Sequence, residues 1–244
     1  MKKIMILFAF TLMLTATAIS QQGDKPAAMV FENQYIMPKS GMEDKFEAAI
    51  KAHDDKFHPD GPYKAGLRKV DYGEKAGWYV WVFGPVTYEG LDSRPAKENG
   101  HNEDWGKTID PLVQEYGELT LSELNHDLSF GLDIMKSSPK YELWIVDLKK
   151  GQYYRFKALA EKLKKAYEST GKTAFLVYNN LVHTNNGFDV ALLWSFKNFS
   201  DWANDPGPKE AVEKLYGSGS WQNLLDEWQE ITEGYTTEIR SKVN

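Results

Sequence analysis

Five residue pairs recur along this chain at a single offset. Gly41 and Gly151 lie 110 positions apart, as do Phe46 and Phe156, Ala48 and Ala158, Gly61 and Gly171, and Gly77 and Gly187. Further on, Trp105 pairs with Trp221 and Asp110 with Asp226, both at 116, so the second half carries a few extra residues. Copies this long are domains, not the short units of a solenoid. The expectation is an internal duplication, with copies over 32–124 and 141–244 joined by a linker over 125–140.

The pattern within each copy gives its fold. Residues 173–201 run apolar, then polar with Asn and Gly, then apolar again, which reads as a hairpin, and 63–89 is its counterpart. In the first copy a strand over 32–37 precedes a helix ending near Phe57, whose Met42, Phe46, Ala49, Ile50 and Phe57 share one face. After the hairpin come a polar loop over 90–104, a helix over 105–116 bent or broken at Pro111, and an edge strand over 118–124. The second copy repeats the order: a strand over 141–148, a helix over 152–167, the hairpin, helical pieces over 199–203 and 209–216, a helix over 221–231 and a strand over 235–239. Each copy is therefore β-α-β-β-α-β, the ferredoxin-like unit, an antiparallel sheet with both helices on one face. Val80 to Phe83 and Val190 to Trp194 are unbroken apolar runs, so those strands are buried on both sides. The fold class expected is α+β, two tandem ferredoxin-like units whose bare sheet faces cover each other.

Lys2 and Lys3, the apolar run over 4–18 and Ala18-Ile19-Ser20 form a signal peptide, with cleavage expected before Gln21 and a loose leader over 21–31. The apolar run is short of the roughly 20 residues a spanning helix needs. No Cys follows it to carry a lipid, because the chain has none. Export, periplasmic or extracellular, is the expectation, with no disulfides to help the cores. The absence of Cys also removes thiolate metal sites and a Cys nucleophile. The net charge of −6 becomes −8 once Lys2 and Lys3 are cleaved away, and no basic stripe is present, so neither nucleic acid nor a membrane surface is an expected partner.

With that order of elements, the stretch Phe196-Lys197-Asn198-Phe199-Ser200-Asp201-Trp202 and the Pro-broken segment after it resemble the dimeric α+β barrel superfamily, which includes the antibiotic-biosynthesis monooxygenase-like proteins. The resemblance covers nearly all of the mature chain. It implies two units packed sheet to sheet as a pseudo-dimeric α+β barrel, here within a monomer or a higher homo-oligomer. That superfamily holds cofactor-free oxygenases, haem-using and haem-degrading enzymes, isomerases and binding proteins, so fold alone gives no function. Its haem-binding members tend to carry a His in the Pro-containing segment after the third strand. Here that segment, Asp205-Pro206-Gly207-Pro208-Lys209-Glu210, has none, and His101 occupies the corresponding loop of the first copy.

Candidate site residues are polar groups in apolar settings. His53 falls on the apolar stripe of the first helix, as a core histidine or as a base or ligand facing the interior. His53, Asp54, His58 and Asp60 look like metal ligands by type. However, neighbours on a helix point about 100° apart, and positions five apart do not share a face, so no metal site is expected. Tyr178, Asn179, Asn180 and His183 make a polar patch in the second hairpin, Asn179 and His183 on one face and Tyr178 on the other. Arg68 lies in the matching region of the first copy, and Trp81 and Trp194 would be aromatic walls. No Ser/His/Asp set, phosphate-cradling Gly-rich loop or dinucleotide fingerprint occurs, and no cofactor is expected. Three functions stay open: a small-molecule-binding protein with a pocket in each copy, a cofactor-free oxygenase or isomerase using Asn179 or His183 on a small aromatic substrate, and a non-catalytic interaction protein whose aromatics are core.

Overall fold

Strand periodicity and helical stripes sort into two halves of equal plan. The computed structural model describes residues 26–94, 100–183, 188–205 and 207–243. The expected signal peptide and Gly187 lie outside them. The first half runs β1 (Val30–Pro38), α1 (Glu43–Phe57), β2 (Ala65–Tyr72), β3 (Tyr79–Val86), α2 (Tyr88–Asp92), α3 (His101–Thr108), a 3-10 turn (Asp110–Leu112) and β4 (Val113–Leu124). A short helix, α4 (Leu132–Ser137), lies in the connection. The second half runs β5 (Lys140–Leu148), α5 (Tyr153–Thr170), β6 (Phe175–Asn180), β7 (Val190–Phe196), α6 (Phe199–Ala203), α7 (Lys209–Tyr216), α8 (Ser220–Ile231) and β8 (Thr232–Lys242).

All eight strands are antiparallel and close into one barrel, in the order β1-β3-β2-β8-β5-β7-β6-β4. Within each half the order is the same, β4-β1-β3-β2 and β8-β5-β7-β6. The halves meet at two seams. At one, β2 pairs with β8, Val70 opposite Arg240; at the other, β4 pairs with β6, Ser122, Glu123 and Leu124 opposite Asn180, Asn179 and Tyr178. The sheets thus join edge to edge, where face-to-face cover was expected, and β4 is not an edge strand. Closure gives the end strands of each half hydrogen-bonding partners that open sheets would leave exposed.

Helices cover the outside. In the first half Ile36, Leu67 and Tyr79 meet Phe46 and Ile50 of α1 and Ile109 beyond α3. In the second, Val146, Phe175, Val177, Val190 and Leu192 meet Phe156, Leu159 and Leu163 of α5 and Leu224 of α8. The repeated pairs acquire a cause here. Phe46 and Phe156 are both fully buried on the first helix of their half. Gly41 and Gly151 take φ of 77° and 78° in the turn before that helix, a left-handed conformation that glycine adopts without strain. One expected helix differs. Instead of spanning 105–116, α3 starts at His101 and ends before Pro111, which lacks the N–H a further turn needs, and Val113 already begins β4. Asp104 lies inside α3, whose N-cap is Gly100.

Candidate functional site

Alternation along the strands sends every second side chain into the barrel, and the interior is not filled. A cavity of about 1020 Å³ is lined by residues of all eight strands and of α4 and reaches the flank of α1, with the exposed Lys64, Glu74 and Lys136 at its margin. Typical ligand pockets occupy roughly 300–1,000 Å³. The lumen is aromatic and polar. Arg240 donates from Nε to Glu238 Oε2 at 2.7 Å and from Nη2 to the Tyr35 hydroxyl, which donates to Glu238 Oε1 at 3.0 Å. All three residues are buried. Burial alone would lower the Arg240 pKa, but Tyr35, Tyr141 and Glu238 outweigh it and hold the guanidinium charged. Burial raises the Tyr35 phenol well above its ordinary range.

Arg68 also lines this lumen, and its circumstances differ. Nη1 donates to the carbonyl of Leu67 at 3.0 Å, and among the described residues no carboxylate lies within ion-pair distance of it. The guanidinium lies over Gly66, where an added Cβ would meet Nη1 at 3.7 Å. Tyr178 stands in the lumen too, its ring edge-on to Phe31 at 5.4 Å. Burial and Tyr141 raise its phenol pKa, and the nearby Arg68 charge opposes them.

The other expected site residues are scattered. Asn179 faces α5 and accepts a hydrogen bond from the Tyr153 hydroxyl at 2.8 Å. Asn180 is buried and closes the hairpin, its amide donating to the carbonyls of Val182 and Phe188 at 2.9 and 2.8 Å. β6 ends at Asn180, so strand alternation does not carry on to His183, which lies exposed beside Asp189 at 3.1 Å. Trp194 packs in the second half's helix–sheet layer among Trp144 and Phe175, with ring centroids 5.4 and 5.5 Å away. Around these rings the layer, where a second-copy pocket was expected, is packed, and Trp144 and Trp228 add a further contact at 5.8 Å. It does not fit a haem, the cofactor of some proteins of the resembling superfamily, and no His stands at 205–210 to ligate one.

Trp81 and His53 belong to a third place, the helix–sheet layer of the first half. Here the sequence reading needs correction, for His53 and His58 do converge. His58 is the C-cap of α1, and its φ of −127° and ψ of 46° turn it off the helix and back toward His53. The rule of shared helical faces stops applying at that residue. His101 arrives at the start of α3, and ligand atoms of the three imidazoles lie within 4.8 Å of one another. Phe57 and Trp105 flank His53 with ring centroids at 4.8 and 5.0 Å, and Trp81 flanks His58 at 5.1 Å. The Trp81 indole donates to Asp54 Oδ1 at 3.0 Å. Burial pushes Asp54 up to about 6 and His58 down to about 4, and it lowers His53 as well. No sequence signal linked His101 to the other two, 43 positions or more away.

No protein-family model matches the chain, and no curated protein matches it in sequence. Solved structures match in fold. A "putative monooxygenase" of Fusobacterium nucleatum is 13% identical with a TM-score of 0.56, covering 90% of this chain and 94% of its own. An anthrone oxidase-like protein is 12% identical with a TM-score of 0.53, covering 88% and 92%. A variant of the chlorite dismutase of Candidatus Nitrospira defluvii is 10% identical with a TM-score of 0.52, covering 87% and 90%. The chain therefore has the dimeric α+β barrel fold, as two ferredoxin-like units in one polypeptide.

Proposed function

We propose that this chain is an exported small-molecule-binding protein whose ligand is an anionic, partly aromatic molecule seated in the barrel lumen. The observation that carries the reading is Arg68, a guanidinium in a roomy cavity that among the described residues hydrogen-bonds to the Leu67 carbonyl and pairs with no carboxylate. A charge held away from bulk water is costly unless it is paired. Glu238 serves that need for the buried Arg240, and the half-buried Arg68 offers its guanidinium to an anionic ligand. Tyr178, Tyr141 and Phe31 offer flat apolar surface beside the charge, and Asn33, Thr120 and Ser122 offer hydrogen-bonding groups on β1 and β4. The like-folded proteins bear the names of oxygenases and a dismutase, and the binding reading requires none of those chemistries.

The probe for this reading is 8-anilinonaphthalene-1-sulfonate, an aromatic sulfonate whose fluorescence rises on burial. Titration of the folded protein should give saturable binding, weakened in Arg68→Gln by roughly 10- to 100-fold, since a charge-assisted hydrogen bond contributes about 1.5–3 kcal/mol. Equal binding by wild type and Arg68→Gln would retire the lumen as an anion site. Export is tested separately, by mass spectrometry of the exported chain. It should begin at Gln21, and an intact Met1 would refute it.

A further inference from the structure

The three histidines of the first half pose a question of proton accounting, independent of the lumen. A neutral imidazole has one N–H and one lone pair, so whatever occupies Nδ1 decides what Nε2 presents. His53 Nδ1 lies 2.9 Å from Asp104 Oδ2. A carboxylate only accepts, so Nδ1 carries the proton and Nε2 the lone pair. That Nε2 is buried and has no hydrogen-bond partner, on a residue 1% exposed. His58 Nδ1 lies 2.8 Å from the carbonyl oxygen of Tyr63, which also only accepts, so His58 too presents a lone pair at Nε2. His101 Nδ1 faces Asn102 Oδ1 at 3.0 Å, and its Nε2 lies 3.0 Å from His58 Nε2. The His58 lone pair at Nε2 is therefore met either by an N–H of His101 or by a cation that both rings ligate.

We propose that His53, His58 and His101 bind a divalent transition-metal ion, Zn²⁺ or a neighbour in its series, through their Nε2 atoms. Imidazole donors suit Zn²⁺, Cu²⁺, Ni²⁺ and Co²⁺. Metal–nitrogen bonds of about 2.0–2.1 Å in a tetrahedron place their nitrogens roughly 3.3 Å apart. The His58–His101 separation is within a few tenths of an ångström of that value. Each ligand is also held from behind, His53 by Asp104, His58 by the Tyr63 carbonyl and His101 by Asn102, the arrangement that fixes tautomer and ring orientation in metal sites. Asp104 is itself steadied by Lys56 at 3.0 Å. Three protein ligands leave a fourth position for water or a small ligand, the plan of an open site. Trp105, Trp81 and Phe57 keep its surroundings apolar. Asp104 is a positioning residue, because it acts through His53.

The test uses the intact mature protein, stripped with a chelator and titrated with Zn²⁺ by calorimetry and with Co²⁺ by visible absorption. One ion per chain is expected, with a Co²⁺ spectrum of nitrogen-coordinated form. His101 is only partly buried and opens α3, so His101→Ala should fold normally and lose at least about tenfold in affinity. His58→Ala should do the same, and circular dichroism checks that each variant is folded. Asp104→Asn keeps all three ligands and should weaken binding by roughly 10- to 100-fold and shift the Co²⁺ bands. His183→Ala, outside the three-histidine group, should leave binding unchanged. A folded wild-type chain that takes up none of Zn²⁺, Co²⁺, Ni²⁺ or Cu²⁺ would overturn the proposal and favour a shared proton between His58 and His101. Full-strength binding in His101→Ala and His58→Ala would overturn it as well.

Discussion

Replacing Glu238 by Gln removes one charge from inside the barrel and leaves Arg240 without its counter-ion. The two side chains are 5% and 6% exposed, and the pair is closed at 2.7 Å. Breaking a buried pair by removing one partner costs about 3–5 kcal/mol, because the remaining charge stays desolvated. Stability changes of this kind shift the melting temperature of a domain this size by roughly 2–4 °C per kcal/mol, so a fall of roughly 6–20 °C is expected. The assay is thermal unfolding followed by circular dichroism, beside urea titrations at 25 °C. The double variant Glu238→Gln/Arg240→Met removes the stranded charge and should recover most of the loss, since an apolar replacement of a buried pair is often neutral. A loss below about 1 kcal/mol in Glu238→Gln, the scale of an exposed pair, with no recovery in the double variant, would refute the reasoning. It would show that water in the lumen already solvates Arg240 and that the lumen is not a low-dielectric space.

Three further outcomes are expected. Asp147 has its carboxyl pKa raised by burial and by Asp189. A raised folded pKa gives stability that is present below the unfolded value near 3.8 and lost as pH rises through the folded one. Asp147→Asn should therefore stabilise the protein at pH 7 and have less effect below pH 3.8, as read by urea unfolding at the two pH values. Gly73 has φ of +119°, and a Cβ there would meet the carbonyl oxygen of Thr237 at 2.5 Å, beside the β2–β8 seam. Gly73→Ala should cost at least about 1–3 kcal/mol by chemical denaturation. Asn179→Ala breaks the hydrogen bond with Tyr153 and should cost about 1 kcal/mol, whereas His183→Ala removes only an exposed pair and should stay within about 0.5 kcal/mol.

The fold could be read from sequence because its signals are local. Phe46 and Phe156 recur at helical spacing from their neighbours, Gly41 and Gly151 mark one turn, and the apolar runs at Val80 and Val190 announce strands covered on both sides. What covers them was not local. Strand edges look alike in sequence, so nothing marked 118–124 as paired on both sides or separated edge-to-edge closure from face-to-face packing. The candidate sites suffered for the same reason. Arg68 and Tyr178 were chosen as polar residues in apolar strands, and they do share the lumen. Glu238 and Arg240, two apart on β8 and so on one face, carry the same signal, though the strand read from sequence ends at 239. The helical geometry that separates His53 from His58 holds only as far as Phe57. His183 was placed by strand alternation that ends at Asn180. Periodicity orders side chains inside an element, and the misplacements of His58 and His183 both fall where an element stops.

A barrel assembled from two identical chains must repeat every side chain about its twofold axis, so any pocket it builds on one flank appears on the other. Here both flanks belong to one polypeptide and are released from that symmetry. One flank holds three imidazoles among Trp81, Trp105 and Phe57, and the opposite flank is packed with Trp144, Trp194 and Trp228. The tryptophan flank is apolar, and the histidine flank carries buried polar groups whose desolvation is costly. A single covalent chain thus places different side chains at equivalent positions of its two halves, with one three-histidine cluster per barrel among the described residues.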